Sequence, residues 1–278
     1  MKRCALLIAS AALGVGLLGA GLAGARSQAN AVRVAADMAA ANETPTPKGD
    51  VSGARGTFTA TLTKSGTGAA MAWRLEFSNL TGNATAAHIH VAARGQAGPV
   101  RVPLCAPCTS GMTGTANIDT AVLDAIQTDR AYANVHTPTN PAGEIRGQVE
   151  IVATVRTTLS ASQERPRPRG KVRRARGTFT ATVTKSGTSG VVTWRLTFSR
   201  LTGRAVAAHI HIGRRGTPGP VAVALCAPCR SGARGRATVD ASVLSALEAG
   251  RAYVNVHTRR NPQGEIRGQI RAVGLTIS

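Results

Sequence analysis

The chain has 278 residues, 43% hydrophobic, which excludes a disordered polymer, and only 3% aromatic, so its core must be built from aliphatic side chains around a few large anchors. Lys and Arg number 34 against 13 Asp and Glu, a formal charge of +21. With 31 Gly and 13 Pro, the composition favours turns and strands over long helices.

The first element is a targeting segment. Lys2 and Arg3 precede an uncharged, small and apolar run from Cys4 to Ala25, and Ala23-Gly24-Ala25 offers a cleavage site. This is the three-part pattern of a secretory signal peptide, placed at residues 1–25. Ala29-Asn30-Ala31 is a second cleavage option, and an uncleaved anchor is the rival assignment. After cleavage no segment is long and apolar enough to span a membrane. The expected location is secreted or at the cell surface, where the remaining cysteines meet oxidising conditions.

The rest of the chain is one sequence written twice. A shift of 121 residues aligns Met38–Ile151 with Leu159–Ala272 without a gap, and 67 of the 114 positions are identical. The predicted domains are therefore residues 32–152 and 153–273, with Val152 to Thr158 as a short linker. Charge separates the copies. Over those aligned spans the first carries 8 basic and 8 acidic residues, and the second 21 and 4, so its net charge is +17.

Within one copy, Gly56 to Thr63 alternates Phe58, Ala60 and Leu62 with threonines, and Met71, Trp73, Leu75 and Phe77 alternate with polar or small residues after a Ser65–Gly68 turn. That pattern predicts a β-hairpin. Ala87–Val91, Val100–Leu104, Thr113–Asp119, Ala131–Thr137 and Gly143–Ile151 read as further strands. Thr120–Thr128 is the single helical patch, capped by Asp119 or Thr120. The expected fold is all-β: two tandem antiparallel sandwich or barrel domains with Greek-key-like connections and one short helix each.

His88 and His90 are two apart in a strand and point to one face, and Tyr132, Asn134 and His136 share a face of a later strand. If those strands are neighbours, three imidazoles converge, a donor set suited to copper or zinc. The alternative is that they are polar strand residues bonded to backbone. His209, His211 and His257 repeat the set. Cys105-Ala-Pro-Cys108 and Cys226-Ala-Pro-Cys229 have redox spacing but no βαβ setting, so each is expected to be a local disulfide. A mixed site of two cysteines and two histidines requires the cysteine loop to fold over the histidine face. Glu144, Arg146 and Gln148 are assigned to one strand face, where Glu144 and Arg146 pair with each other or with neighbours; Glu265 and Arg267 repeat the motif. No nucleophile elbow, phosphate loop or zincin helix is present, so no catalytic residue is assigned.

The run Ala87-His-Ile-His-Val91…Gly98-Pro-Val100, followed by Asn134-Val-His-Thr137…Asn140-Pro-Ala-Gly-Glu-Ile-Arg-Gly-Gln148, resembles the CHRD domain, named after chordin. The resemblance covers nearly all of both copies. It implies an extracellular β-rich domain and supplies no catalytic residues. A more distant likeness is to copper-zinc superoxide dismutase, in which His88, His90 and His136 would stand where three copper ligands stand. Each copy lacks the bridging histidine and the zinc ligands, so that likeness leaves at most a mononuclear site. The leading functional expectation is a non-enzymatic binding or structural protein whose basic second copy contacts acidic surfaces such as cell-surface polymers, or extracellular proteins. Nucleic acid is disfavoured because no aromatic residues lie among the arginines. The alternative is a copper- or zinc-binding protein or a superoxide-dismutase-like oxidoreductase.

Overall fold

A computed structural model describes residues 31–277. The proposed signal peptide lies outside the described residues. No helix among the described residues is long and apolar enough to cross a membrane.

The first copy contains β1 (Ala31–Ala39), β2 (Arg55–Ser65), β3 (Gly68–Ser78), β4 (Ala86–Val91), β5 (Val100–Cys105), β6 (Met112–Ile118), α1 (Thr120–Gln127), β7 (Ala131–His136) and β8 (Ile145–Gln148). β9 (Glu150–Ser160) opens the second copy. It is followed by β10 (Arg176–Ser186), β11 (Ser189–Ser199), β12 (Ala205–Ile212), β13 (Val221–Cys226), β14 (Ala233–Val239), α2 (Ala241–Glu248), β15 (Ala252–Thr258) and β16 (Ile266–Ile270).

Each copy folds as two antiparallel layers. One has the order β1-β2-β3-β6, the other β8-β7-β4-β5, and the two meet where Ala39 of β1 pairs with Arg146 of β8. The chain crosses between layers at β3–β4 and β5–β6, and α1 carries it back from β6 to β7, which is a Greek-key-like path. The sandwich half of the sequence expectation holds; the described strands do not close into a barrel. The predicted hairpin is β2–β3, with Phe58 opposite Leu75 and Leu62 opposite Met71, all buried between the layers. Burying a side chain of that size contributes about 1.5–3 kcal/mol, so these few anchors carry much of the core. Asp119 caps α1 by accepting a hydrogen bond from the Val122 N–H at 2.8 Å, and α1 turns Val122, Leu123 and Ile126 onto the core.

β1, with Val32, Val34, Ala36 and Met38 buried in alternation, is a strand not among those read from the sequence; it precedes the gap-free alignment that begins at Met38 but lies within the expected 32–152 domain. The expected linker is instead the middle of β9, an 11-residue strand whose start pairs with β1 at Arg33–Ala35 and whose length pairs with β10. Alternating Ile151, Ala153 and Val155 are buried there, which turns the joint into sheet and makes the strands of both copies one continuous 16-stranded network.

Candidate metal centre

β4 and β7 are antiparallel neighbours, with His88 opposite Asn134, His90 opposite Tyr132, and Ala86 opposite His136. Residues directly opposite in a sheet share a face, so the period of two brings His88, His90 and His136 to one side. The other side carries Ala87, Ile89, Ala133 and Val135, all in the core. The histidine side is the outer face of the layer. It is nevertheless buried, because the loop from Ala92 to Pro99 and the turn from Thr137 to Glu144 fold over it.

The potential ligand atoms of the three imidazoles lie within 4.8 Å of one another, and those of His209, His211 and His257 do the same. His90 Nδ1 is 2.9 Å from the Gly98 carbonyl and His136 Nδ1 is 3.0 Å from the Pro141 carbonyl. A carbonyl only accepts, so each Nδ1 carries the proton and each Nε2 presents a lone pair. This is the outer-shell arrangement that orients metal-bound histidines. His90 Nε2 and its counterpart His211 Nε2 are buried without a hydrogen-bond partner. Burial holds all three imidazoles below their ordinary range, His136 to about 4, opposed there by the Pro141 hydrogen bond. His257 is likewise lowered to about 4. The cluster is therefore neutral at pH 7, the protonation state a metal requires.

The support beneath His90 was not foreseen from the sequence. Its ring stacks on Tyr132 at 5.0 Å between centroids, and the Arg146 guanidinium lies over the other part of the column, 3.4 Å from the Tyr132 centroid. Arg146 is 1% exposed and donates to the carbonyls of Gln96 and Ala93. The Tyr132 hydroxyl accepts from the Gly98 N–H at 3.0 Å. Together they pin the covering loop whose Gly98 carbonyl orients His90. Gly98 is needed because a Cβ there would stand 2.2 Å from the Val91 carbonyl oxygen.

Of the two alternatives for Glu144 and Arg146, they bond to neighbours and not to each other. Glu144 precedes β8 and is fully buried; it accepts from the Thr81 N–H, the Thr81 and Thr137 hydroxyls and the Asn140 amide at 2.5–3.0 Å. Burial raises its pKa, but these hydrogen bonds outweigh that and hold it below the usual value. Glu265 has the same four donors, from Thr202, Thr258 and Asn261. Glu144 ties its Asn-Pro turn to the β3–β4 connection and Glu265 ties its own to the β11–β12 connection, and Arg267 stacks on Tyr253 as Arg146 does on Tyr132. Another glutamate that sequence inspection passed over, Glu43, accepts from the Asn134 amide at 2.7 Å behind the histidines.

The cysteine sulfurs lie 2.08 Å apart for Cys105–Cys108 and 2.15 Å for Cys226–Cys229, at disulfide distance. They stand at the ends of β5 and β13 and take no part in the histidine clusters. A mixed cysteine–histidine site does not form.

Comparison with curated proteins and with solved structures returns no match. Comparison with family models returns the CHRD domain twice, over residues 34–149 and 155–270. Those two spans take in every element that builds the histidine clusters, the stacked Tyr–Arg columns and the buried glutamates, and the chain belongs to the CHRD domain family as a tandem of two such domains.

Proposed function

We propose that the chain is an exported binding protein whose CHRD domains each hold one copper or zinc ion, through His88, His90 and His136 in the first and His209, His211 and His257 in the second. The observation that carries this reading is the buried, partnerless Nε2 of His90 and of His211. An unsatisfied buried polar atom costs about 1–3 kcal/mol. A metal shared with the two neighbouring imidazoles satisfies it. Three imidazole nitrogens, with the Nδ1 protons of His90 and His136 held by carbonyls, suit both metals. His88 is the half-buried member, so the remaining coordination position faces the solvent side. Among the described residues no other group of three His, Cys, Asp or Glu comes together, which supports one ion per domain over a binuclear centre. The export assignment rests on the sequence of residues 1–25.

The test is metal analysis and calorimetric titration of the full chain purified without a histidine tag. The expected result is two ions per chain, one per triad. A His90→Ala/His211→Ala variant that stays folded should bind neither. Stoichiometry unchanged in that variant, or no binding by the parent chain, overturns the reading.

A second reading concerns the second domain's surface, and a specific observation favours it. All five ion pairs among the described residues join residues of the first aligned repeat, Met38–Ile151: Arg74–Glu76, Arg94–Asp129, Arg94–Glu150, Arg101–Asp119 and Arg130–Asp124. The second copy carries 21 basic residues against 4 acids and, among the described residues, makes no such pair. Its charge is uncompensated within the chain, which supports contact with an acidic surface outside it.

A further inference from the structure

The second domain contains a cleft of about 960 Å³ beside the turn at Ala161, between the loop leading into β10 and the β11–β12 turn. Arg167, Lys171, Arg173, Arg174, Arg176 and Arg200 line it. The 121-residue register puts Thr46, Asp50, Ser52, Gly53, Arg55 and Asn79 at the same places in the first domain. Six cations therefore replace one cation and one acid on an unchanged backbone.

The environment of these cations points outward. None is in an ion pair, whereas Arg176 donates only to the carbonyls of Arg173 and Ala175. Arg200 adopts φ +56°, the left-handed conformation that an asparagine tolerates better; the first domain has Asn79 there at +57°, with its amide bonded to the Gly53 carbonyl. The second domain thus keeps a cation at a position where it fits the backbone less well and gives up that bond. Nothing in the folding of the domain gains from this exchange, but an anionic ligand does.

We infer that this cleft is a binding site for an acidic polysaccharide, a refinement that rests on the acidic-surface reading above. Guanidinium groups pair with carboxylate and sulfate oxygens through two parallel N–H donors, and several around one concavity suit a chain that repeats its anionic group. No aromatic residue lines the cleft, so it has no stacking platform for nucleic-acid bases. The large apolar side chains exposed on the described surface are Val100, Val221 and Val273, none of them in the cleft, so it lacks an anchor for a bilayer.

The experiment uses the full chain, because β9 belongs to the sheets of both domains. Binding to alginate, a carboxylated chain, and heparin, a sulfated one, is measured across salt, with single-stranded DNA and phosphatidylserine vesicles as competitors. A cleft variant takes the first domain's residues: Arg167→Thr, Arg173→Ser, Arg174→Gly and Arg200→Asn. A control variant does the same away from the cleft: Arg204→Asn, Arg230→Thr, Arg234→Thr and Arg236→Thr. Both remove four charges and introduce residues this fold already accommodates. The expected result is binding to at least one polysaccharide, weakened more than about 30-fold in the cleft variant and less than about 5-fold in the control. The slope of log affinity against log salt should flatten by about three in the cleft variant, at roughly 0.7 per contact for a flexible polyanion. Equal losses in the two variants overturn the cleft assignment while leaving the acidic-surface reading standing. Absence of any polyanion binding overturns both. Tighter binding to DNA or vesicles than to either polysaccharide overturns the ligand class.

Discussion

In the first domain His88 Nδ1 faces His136 Nε2 across 3.0 Å, and His209 and His257 repeat the contact at 3.0 Å. Because His136 Nδ1 gives its proton to the Pro141 carbonyl, its Nε2 is the acceptor and His88 Nδ1 the donor. An ion between the two nitrogens would replace that proton with itself and move the His88 proton to Nε2.

A change of tautomer at His88 is thus the expected signature of metal binding. Nitrogen chemical shifts of the imidazoles should show His88 protonated on Nδ1 without metal and on Nε2 with zinc. His88→Ala should leave the fold intact, since this ring is the most exposed of the three, and weaken zinc at the first site by at least about 100-fold, beyond the usual loss from an outer-shell change.

Two kinds of buried group make stability depend on pH in opposite directions. His136 and His257 titrate near 4 when folded and near 6.5 when unfolded, so the metal-free unfolded chain takes up protons that the folded one refuses. Their contribution is present above pH 6.5 and lost as pH falls toward 4. Glu164, 1% exposed, is raised to about 7 by burial, against hydrogen bonding from the Arg165 N–H. Its contribution is present below 4.5 and lost as pH rises through 7. Glu164→Gln removes that second slope, and the unpartnered Asn255 Oδ1 can accept the new amide once the Asn255 amide turns over. Urea unfolding should find Glu164→Gln more stable than the parent at pH 8 and level with it near pH 5. A parent-like slope between pH 5 and 8 in this variant would refute the assignment.

Arg146→Lys should be costly despite preserving the charge. A lysine cannot stack flat on Tyr132 and donate to both Gln96 and Ala93, so about 2–3 kcal/mol of stability is expected to go, from one lost carbonyl bond and the weakened cation–π contact. Amide exchange at Gly98 should quicken along with it, because the covering loop is held through this column. Retention of parent stability and of Gly98 protection would show that the column does not hold the loop.

Much of this arrangement was readable along the chain. Alternation in Phe58–Leu62 and Met71–Phe77 announced a hairpin because a strand turns its side chains with a period of two. The same parity placed His88 with His90, and His136 with Tyr132 and Asn134. The Val152–Thr158 joint is ambiguous along the chain because its short Val/Thr run carries no turn residue and fits a strand as well as a linker; only pairing with β1 and β10 decides between them. Glu144 and Arg146 looked like partners because their spacing allows it. They separate because the strand begins at Ile145, after Glu144, and because each finds several donors or acceptors in a different loop.

The sequence by itself determined the duplication, the strand periodicity, the CHRD resemblance and the concentration of charge in the second copy, since each is a property of local order or of composition. Tertiary structure alone decided that β4 and β7 are neighbours, that two loops bury a polar outer face, that His90 Nε2 is left without a partner, and that six cations share one cleft. These depend on contacts between residues about 30 to 50 positions apart, and no periodicity along a chain specifies which distant segments meet.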